Sequence, residues 1–459
     1  MDIADMNAAA LAGAIRSREI SPVEATQAAL DRIEQRAKLN AFITIAAEQA
    51  LDAARAAEAK VGSGEPLGPL HGVPFSVKDL TNTAGVRTTM GSAIFEHNVP
   101  KTDAVAVARA KAAGAIMIGK TTTPEFGHKQ STDAPIFGHT LNPIDESVTC
   151  GASSGGAAVA VAAGMGPLAL GTDGGGSMRI PAACCGVVGL KATLGAVANL
   201  QPPDLFAANS YVGPMARDVA DTSLLFEAIA GPDFGDPYGQ SAPAPQAALD
   251  SFKGVRVAWL ERCGDHRLDG RVAAATGAAV KTMETLGAVV EPIELDFVSL
   301  EPAFLVMLES AVASRVVCHL KHFVGKLDPH LVETVLKGLR HSAVALQNAG
   351  AERSKTFRAV QRKFEQFDFI VSPVLTAPPL PLGPQLPDGP VIIDGQPSGT
   401  LRGGWYPYTF PFNLTGHPAI SLPCGKTAEG LPIALQIVGR WHADRRVLAA
   451  AGLLEAALR

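Results

Sequence analysis

The sequence has no excess of positive charge. Its 39 Lys and Arg residues face 44 Asp and Glu residues, which gives a formal net charge of −5. Nucleic-acid binding usually needs a basic stripe, so this composition argues against a nucleic-acid partner. Cysteine is also scarce: the six cysteines form no CxxC pair, and the neighbours Cys184 and Cys185 cannot easily bridge each other. We therefore expect a reducing, cytoplasmic compartment and no metal site.

Long hydrophobic runs are missing as well. The stretch 157–171 stands out as apolar, but it is interrupted by Gly164, Gly166 and Pro167. At about 15 residues it is too short to span a bilayer. The first 20 residues contain acids and lack a basic segment followed by an apolar core, so no signal peptide is expected. These absences predict a protein that does not bind membranes.

Glycine and proline, in contrast, are abundant, with 46 and 33 residues in a chain of 459. Between them, helix and strand patterns alternate. Ser21 and Glu24 form a capping-box pattern that opens a helix to about residue 36. Further helices are expected at 104–113 and 157–163, a largely helical region at 265–365, and strands at 73–77, 115–118, 168–170, 369–372, 420–422 and 433–438.

This alternation predicts an α/β fold, a single large domain with a mixed, twisted β-sheet core covered by helices on both faces. Within the domain 1–459 we expect N-terminal helices at 1–60 and a catalytic core at 61–240. A variable, mostly helical, substrate-side region should follow at 241–365, and the C-terminal part of the core at 366–459. The proline-rich stretch 373–402 is interpreted as a long surface loop near a pocket.

Two segments rich in serine and glycine are candidates for chemistry. They read GASSGG at 151–156 and GTDGGGSMR at 171–179. Three glycines before Ser177 let the backbone turn tightly, so that successive N–H groups can point at one spot. Such a cluster beside a helix start would serve as an oxyanion hole. Ser177 is then placed as a nucleophile, which needs a base.

These segments belong to a longer run that resembles the signature of the amidase signature family: CGASSGGAAVAVAAGMGPLALGTDGGGSMRIPAACCGVVGLKAT. The similarity extends to five more segments: GVPFSVKD, GKTTTPEFG, VGPMARDVAD, FDFIVSP, and FNLTGHPAISLPCG through GLPIALQIVGR. It covers nearly the whole chain, with 240–365 matched only weakly. The resemblance implies the amidase signature fold and hydrolysis of linear amide C–N bonds, without metal or cofactor.

The resemblance also implies a Ser–cis-Ser–Lys triad. Lys78 matches the catalytic lysine, Ser153 the serine preceded by a cis peptide bond, and Ser177, 24 residues later, the nucleophile. A desolvated lysine can be neutral and act as a base, and Ser153 would relay the proton. The oxyanion hole is expected at Gly174, Gly175 and Gly176. Supporting roles are expected for Ser154, Thr172, Asp173 and Arg179, with Arg179 more a structural ion pair than a substrate ligand.

The substrate is expected to be a small hydrophobic or aryl amide, with aryl esters and carbamates as side substrates. Two departures from the family pattern bear on this: Ala152 replaces a glycine, and Gly174 stands where many relatives carry a larger side chain, which would widen the pocket. Apolar residues in candidate pocket loops are Phe126, Ile136, Phe137, Trp405, Tyr406 and Phe410.

Three alternatives stay open at this point. The stretch 114–121 matches a phosphate-binding loop letter for letter, although its interior is strand-like. The stretch 151–155 matches the G-x-S-x-G elbow of an α/β-hydrolase, which would use Ser153 and perhaps His417. Finally, the family also contains glutamine-hydrolysing amidotransferase subunits that depend on partner chains. The oligomeric state, including a homodimer, is left open.

Overall fold

The computed structural model describes residues 2–207, 209–240, 248–383, 386 and 389–459. Its strands are β1 (Phe42–Ile45), β2 (Pro74–Lys78), β3 (Ile116–Thr121), β4 (Asp133–Ala134), β5 (Gly138–His139), β6 (Leu168–Asp173), β7 (Val188–Lys191), β8 (Tyr211–Ala216), β9 (Arg256–Trp259), β10 (Val289–Pro292), β11 (Phe369–Pro373), β12 (Ile392–Ile393), β13 (Gln396–Pro397), β14 (Ala419–Lys426) and β15 (Pro432–Gly439).

The α-helices are α1 (Ala8–Arg16), α2 (Pro22–Gln35), α3 (Ala47–Ser63), α4 (Val105–Ala112), α5 (Gly155–Ala162), α6 (Arg179–Cys185), α7 (Val219–Ile229), α8 (Gly270–Thr285), α9 (Glu301–Phe323), α10 (Pro329–Gly338), α11 (Ala343–Lys363), α12 (Leu401–Trp405), α13 (Phe410–Thr415) and α14 (Asp444–Leu458). Short 3-10 turns lie at Ile3–Asp5, Ala37–Leu39, Ala93–Phe95, Glu125–Gly127, Val298–Leu300 and Val324–Lys326.

Eleven of these strands form one mixed sheet, in the order β1-β3-β2-β6-β8-β7-β14-β15-β11-β9-β10. The run β3-β2-β6 is parallel, as is β11-β9-β10, while the strands from β6 to β11 pair antiparallel. The central strands are buried on both faces, as their nearly continuous hydrophobic sequences require.

Apolar side chains cover both faces of the sheet. Along β6, Leu168 and Leu170 pack into one buried cluster and Ala169 packs into a second, as the alternation of side chains along a strand requires. The second cluster contains α5, whose alanines and glycines let the helix lie very close to the sheet. The predicted α/β fold, one domain with helices on both faces of a mixed sheet, is confirmed.

Local expectations hold where the sequence signal was strong. Ser21 accepts a hydrogen bond from the Glu24 backbone N–H, and Glu24 accepts one from the Ser21 N–H, so the capping box opens α2. Strands β1 and β10, which lie at the two ends of the sheet, were not predicted. Both are four residues long and only partly buried, so neither shows the hydrophobic run of a central strand.

The stretch 373–402 is more structured than the predicted surface loop. Residues 374–379 are buried, β12 pairs with β13, and α12 begins at residue 401. Residues 384, 385, 387 and 388 of the predicted loop lie outside the described residues. Helix α12 has a weak sequence signal, because two of its five residues are glycines.

Within the described part of the chain, one helical stretch is long and apolar enough to cross a membrane by length and composition. It runs from Val298 to Lys326 and contains an 18-residue window with a mean hydropathy of 1.6, of which 28% is buried. It was not predicted from the sequence, where 157–171 was the stretch considered. Helices of soluble proteins pass the same test, so this finding alone does not assign the chain to a membrane.

Candidate active site

Lys78 is the last residue of β2, which pairs in parallel with β6, the strand that leads into the glycine run. Its Nζ lies 2.7 Å from Ser153 Oγ, 2.9 Å from Ser154 Oγ and 3.4 Å from the carbonyl oxygen of Thr172. The side chain is fully buried. Burial lowers the pKa of the Lys78 ammonium well below its usual value, against a weaker opposing effect of Asp173. A lysine in these surroundings is suited to act as a neutral base.

Ser154 contacts both the Lys78 amine and the backbone of β6. Its Oγ donates to the carbonyl of Thr172 at 2.9 Å and accepts a hydrogen bond from the Thr172 N–H at 3.2 Å. The same hydroxyl contacts Lys78 Nζ. Ser154 therefore links the lysine to the backbone of β6, while the supporting roles of Ser154 and Thr172 remain predictions.

Ser177 follows the glycine run and is the most exposed of the three triad candidates. Its carbonyl oxygen accepts a hydrogen bond from the Ser154 N–H at 3.1 Å, so the two serine–glycine segments are joined through their backbones. Among the described residues, no hydrogen bond links the Ser177 hydroxyl to Ser153. The structure thus brings Lys78 and Ser153 into direct contact and places Ser177 on the neighbouring segment.

The peptide bond before Ser153 differs from the expectation. The resemblance implied a cis bond, but the cis bond found in the described chain is Gly389–Pro390, and Ala152–Ser153 is trans. Trans is the ordinary state of a bond that does not precede proline. With this trans bond, Ser153 Oγ still reaches Lys78 Nζ at 2.7 Å.

Asp173 organises the glycine run. Its carboxylate accepts hydrogen bonds from the N–H groups of Gly176 at 2.6 Å and Met178 at 3.2 Å. The Gly176 N–H is therefore already occupied, which corrects its expected place among the oxyanion donors. Within the described residues, the N–H groups of Gly174, Gly175 and Ser177 make no such hydrogen bond and remain candidates for that role.

Arg179 is a structural partner of Asp173, as expected. Its Nε and Nη2 donate to the two Asp173 oxygens, each at 3.0 Å. Burial alone would raise the pKa of the Asp173 carboxyl, but Arg179 and Asn413 together hold that pKa well below its usual range. The remaining guanidinium donors bond to Thr409 O, Gln436 Oε1 and Asn413 Oδ1. All the guanidinium donors thus have internal acceptors, which leaves none for a substrate.

The residues that hold Asp173 and Arg179 from the C-terminal part were missed. Asn413 also donates to the Asp173 carbonyl and carboxylate at 2.9 and 2.8 Å. Thr409 Oγ1 donates to the Gly175 carbonyl at 2.9 Å. Asn413 and Gln436 both lie in segments that carry the family resemblance, so their polar character among apolar neighbours could have marked them.

The candidate pocket residues divide into two groups. Trp405, Tyr406 and Phe410 are fully buried, and Trp405 donates its indole N–H to the Ala377 carbonyl at 3.1 Å. Phe126, Ile136 and Phe137 are partly exposed.

Phe304 of α9, which no sequence pattern predicted, packs against the glycine run. A Cβ on Gly175 would lie 2.9 Å from Phe304 Cζ. Beside it, a Cβ on Gly174 would meet no atom closer than Asn209 O at 4.0 Å.

The phosphate-loop match lies in a position that does not suit phosphate binding. Lys120 of this match lies in β3, and its buried Nζ bonds to Thr81 O at 2.6 Å and Thr88 Oγ1 at 2.7 Å. Burial lowers its pKa to about 8. Since a phosphate loop joins a strand to a helix, this strand position does not fit one.

His417 does not serve the elbow match. Its ring nitrogens contact Thr415 Oγ1 and Gln361 Oε1, each at 2.9 Å, and burial lowers its pKa to about 3. In addition, none of the strands in the described chain runs into Gly151. An α/β-hydrolase elbow requires a strand leading to the serine and a histidine at its hydroxyl.

Comparisons with known proteins identify the family of this chain. The model of the Amidase family matches residues 24–448. An acylamidase of Rhodococcus erythropolis is 34% identical over 98% of this chain and 95% of its own. A glutamyl-tRNA(Gln) amidotransferase subunit of Salinispora arenicola is 35% identical over 100% of this chain and 98% of its own. A bacterial aryl acylamidase structure of the amidase signature family superposes with a TM-score of 0.90 and 28% identity, covering 98% of this chain and 96% of that chain.

The chain therefore belongs to the amidase signature family. It is a hydrolase of linear amide C–N bonds, as the acylamidase relatives support. The substrate class is not fixed by similarity, because acylamidases and amidotransferase subunits resemble it to the same degree.

Proposed function

We propose that this chain hydrolyses small hydrophobic or aryl amides through an acyl-enzyme on Ser177. The observation that carries the proposal is the buried Lys78 amine, which contacts two serine hydroxyls and whose pKa is lowered by burial. In the described chain, no carboxylate lies within ion-pair distance of Lys78 Nζ. A neutral amine is therefore favoured, and it can accept a proton from Ser153.

Ser153 relays the proton in this mechanism. Lys78 takes the proton of the Ser153 hydroxyl while Ser153 takes that of Ser177, and Ser177 Oγ attacks the amide carbonyl carbon. The negative charge on the carbonyl oxygen is stabilised by free N–H groups of the run 174–177. The proton then returns through Ser153 to the leaving nitrogen, the C–N bond breaks, and water hydrolyses the acyl-enzyme by the same relay. Neither a metal nor a cofactor is required.

The substrate class is inferred from two features beside the glycine run. Phe304 provides an aromatic wall beside Gly175, and Gly174 leaves space next to it. Both features suit a flat apolar group. The names of two relatives, an acylamidase and an aryl acylamidase, agree with this choice. Aryl esters and carbamates are expected as side substrates, because the same oxyanion hole serves them.

A glutamine-hydrolysing amidotransferase subunit is the second candidate. It is favoured by the 35% identity to the Salinispora arenicola protein over the whole chain. An enzyme of that kind would act within a complex and release ammonia from glutamine. The two candidates differ in what the purified chain does alone. A free-standing amidase hydrolyses small amides by itself, whereas an amidotransferase subunit acts on glutamine within its complex.

The deciding experiment is hydrolysis by the purified chain of anilides, primary amides, aryl carbamates and glutamine. We expect the anilides to be cleaved and glutamine to be left intact. Ser177→Ala should abolish turnover, and Lys78→Ala and Ser153→Ala should each reduce it severely and non-additively, because the three side chains act as one unit. Ser76→Ala is the matched control, since Ser76 is buried on the same strand as Lys78 and its hydroxyl has no hydrogen-bond partner among the residues that the structure describes.

Two outcomes would contradict the proposal. Glutamine hydrolysis without cleavage of anilides would support the amidotransferase function. Activity of the folded Lys78→Ala variant equal to that of Ser76→Ala would remove Lys78 from the mechanism.

We also propose that the protein works in the cytoplasm on small molecules. All six cysteines are free thiols, including the buried trio Cys150, Cys184 and Cys185, which suits a reducing compartment. Fractionation of cells that express the chain, with and without a salt wash of the membranes, tests this location. A chain that stays in the membrane fraction after the salt wash and is released only by detergent would contradict this location. Such a result would point to the apolar stretch Val298–Lys326 as a membrane segment.

A further inference from the structure

Three buried polar atoms without a hydrogen-bond partner gather beside the glycine run. They are Arg402 Nε, Tyr406 OH and Asn209 Oδ1. Arg402 Cζ lies 4.8 Å from the centre of the Phe304 ring and 5.6 Å from that of Tyr406. Asn209 Nδ2 lies 3.9 Å from the sulfur of Met307, one turn after Phe304 on α9. Arg402 therefore lies against an aromatic wall formed by Phe304 and Tyr406, and Asn209 contacts the helix that carries Phe304.

That wall borders the site of chemistry. Phe304 Cζ fills the space that a side chain on Gly175 would occupy, and the Asn209 carbonyl is the atom nearest to the open side of Gly174. An amide substrate has two arms, the acyl group and the amine group, on either side of its C–N bond. If its carbonyl lies against the glycine run, one of these arms would extend along Phe304. Its far end would then come close to Arg402 and Tyr406.

Among the described residues, no carboxylate lies within 4.0 Å of the Arg402 guanidinium. Glu301, which lies beside Gly403, accepts its hydrogen bonds from Thr400 Oγ1 at 2.9 and 3.0 Å instead. Arg179, in contrast, has an acceptor for each of its donors. A buried donor without a partner is destabilising, and a bound acceptor would satisfy it.

We propose that Arg402 and Tyr406 form a subsite for a carboxylate at the end of one arm of the amide substrate. The inference rests on the proposed function and narrows its substrate class to aryl amides whose ring bears a carboxylate. The ring would lie against Phe304. The carboxylate would accept hydrogen bonds from the Arg402 guanidinium and the Tyr406 hydroxyl, and a planar guanidinium is well matched to such an anion. Gln130 faces the same hydroxyl, outside hydrogen-bonding geometry.

The test compares substrates that differ only at the ring. Two anilide pairs are used, with a 4-carboxylate or a 4-methyl group on the acyl ring in one pair and on the amine ring in the other. For each pair the measured quantity is the ratio of kcat/KM for the carboxylate over that for the methyl compound. For one arm we expect Arg402→Leu to lower this ratio by about 10- to 100-fold, as for loss of a charged hydrogen bond.

Two further variants and a control sharpen the result. Tyr406→Phe should lower the same ratio by about 2- to 10-fold, as for loss of a neutral hydrogen bond. Arg402→Lys should restore part of the preference, because it keeps the charge. Arg340→Leu, which removes an exposed arginine, controls for net charge. A ratio that Arg402→Leu leaves unchanged for both arms, or that Arg340→Leu changes equally, would overturn the subsite.

Failure of the subsite and failure of the proposed function give different results. Cleavage of the methyl compounds with an unchanged ratio in Arg402→Leu rejects the subsite alone. If the wild type cleaves none of the anilides, the proposed function fails. Calorimetric binding of 4-acetamidobenzoate, which has the carboxylate on the amine ring, and of 4-(phenylcarbamoyl)benzoate, which has it on the acyl ring, then tests the subsite directly in Ser177→Ala, with and without Arg402→Leu. Equal binding or no binding of both probes in the two proteins would reject it, and weaker binding of either probe with Arg402→Leu would support it.

Discussion

Replacing Arg179 with methionine tests the architecture of the site directly. The two side chains are similar in length, so Arg179→Met keeps most of the packing and removes the five N–H donors. Asp173 then stays buried with a charge whose ionic partner is gone, while Thr409 O, Gln436 Oε1 and Asn413 Oδ1 lose their donors. Because Asp173 also fixes the N–H of Gly176, the glycine run should lose its geometry and the rate should fall.

The expected cost in stability follows from the burial of the pair. Both side chains are completely buried. Removing one partner of such a pair costs about 3–5 kcal/mol, because an uncompensated charge remains. The double variant Asp173→Asn, Arg179→Met leaves no charge behind, and the asparagine side chain would still offer an acceptor to the Gly176 N–H. We expect it to be more stable than Arg179→Met alone by about 1 kcal/mol or more.

The loss of free energy of unfolding caused by Arg179→Met should also depend on pH. In the wild type, the pKa of Asp173 lies below its unfolded value, so the stabilisation is present at neutral pH and is lost only at very low pH. In Arg179→Met, burial would raise that pKa, so the folded state would bind a proton more readily than the unfolded state. Stability is then regained as the pH falls, and the cost of the substitution should be smaller at pH 5 than at pH 8.

Urea unfolding followed by tryptophan fluorescence, at both pH values, measures these quantities. Arg445→Met is the matched control, because Arg445 forms an exposed ion pair with Glu227, for which a cost of no more than about 1 kcal/mol is expected. A cost for Arg179→Met as small as that of the control would refute the reasoning. So would a cost that grows as the pH falls, or a double variant less stable than Arg179→Met.

Four more properties of the site can be measured. The kcat for an anilide should rise from pH 6 to pH 9 as the unit of Lys78 and its serines loses a proton; a flat profile with chemistry rate-limiting would contradict it. The wild type's free energy of unfolding should rise with pH between 7 and 10 more steeply than that of Lys78→Met, because the unfolded lysine binds a proton that the folded one resists; equal slopes in urea titrations would oppose this. Gly176→Ala should be far more damaging to kcat than Gly174→Ala, because its φ is +121° and its Cβ would lie 2.4 Å from Thr409 Oγ1; similar rates would show that the loop adapts. His417→Ala should leave the kcat of the folded protein largely intact, whereas loss of a triad histidine costs about three orders of magnitude or more.

Much of the site could be anticipated because its parts are local in sequence. The strand that ends at Lys78 and the serine-rich turn before α5 were both visible as patterns, and the resemblance joined them. The contact of Lys78 with Ser153 and Ser154 agrees with that expectation. The roles of the triad residues stay predictions until the variants are measured.

The rest depends on contacts distant in sequence, which no local pattern encodes. The Gly176 N–H is taken by Asp173, although a run of three glycines suggests three free donors. Phe304 reaches the glycine run from a helix in the weakly matched region. Arg402 belongs to a five-residue helix that begins at the end of the predicted loop. In each case tertiary packing decided the outcome.

The anchoring of the glycine run has a consequence for synthesis of the protein. Asp173 and Arg179 bond to residues 230 to 257 positions later in the chain. A ribosome therefore finishes Lys78, both serine segments and the glycines long before it makes the residues that hold them in place. The nascent chain would carry its reactive groups without their supports until almost the whole polypeptide has emerged. Full activity would thus begin only with the completed fold, and fragments ending before Thr409 should be inert.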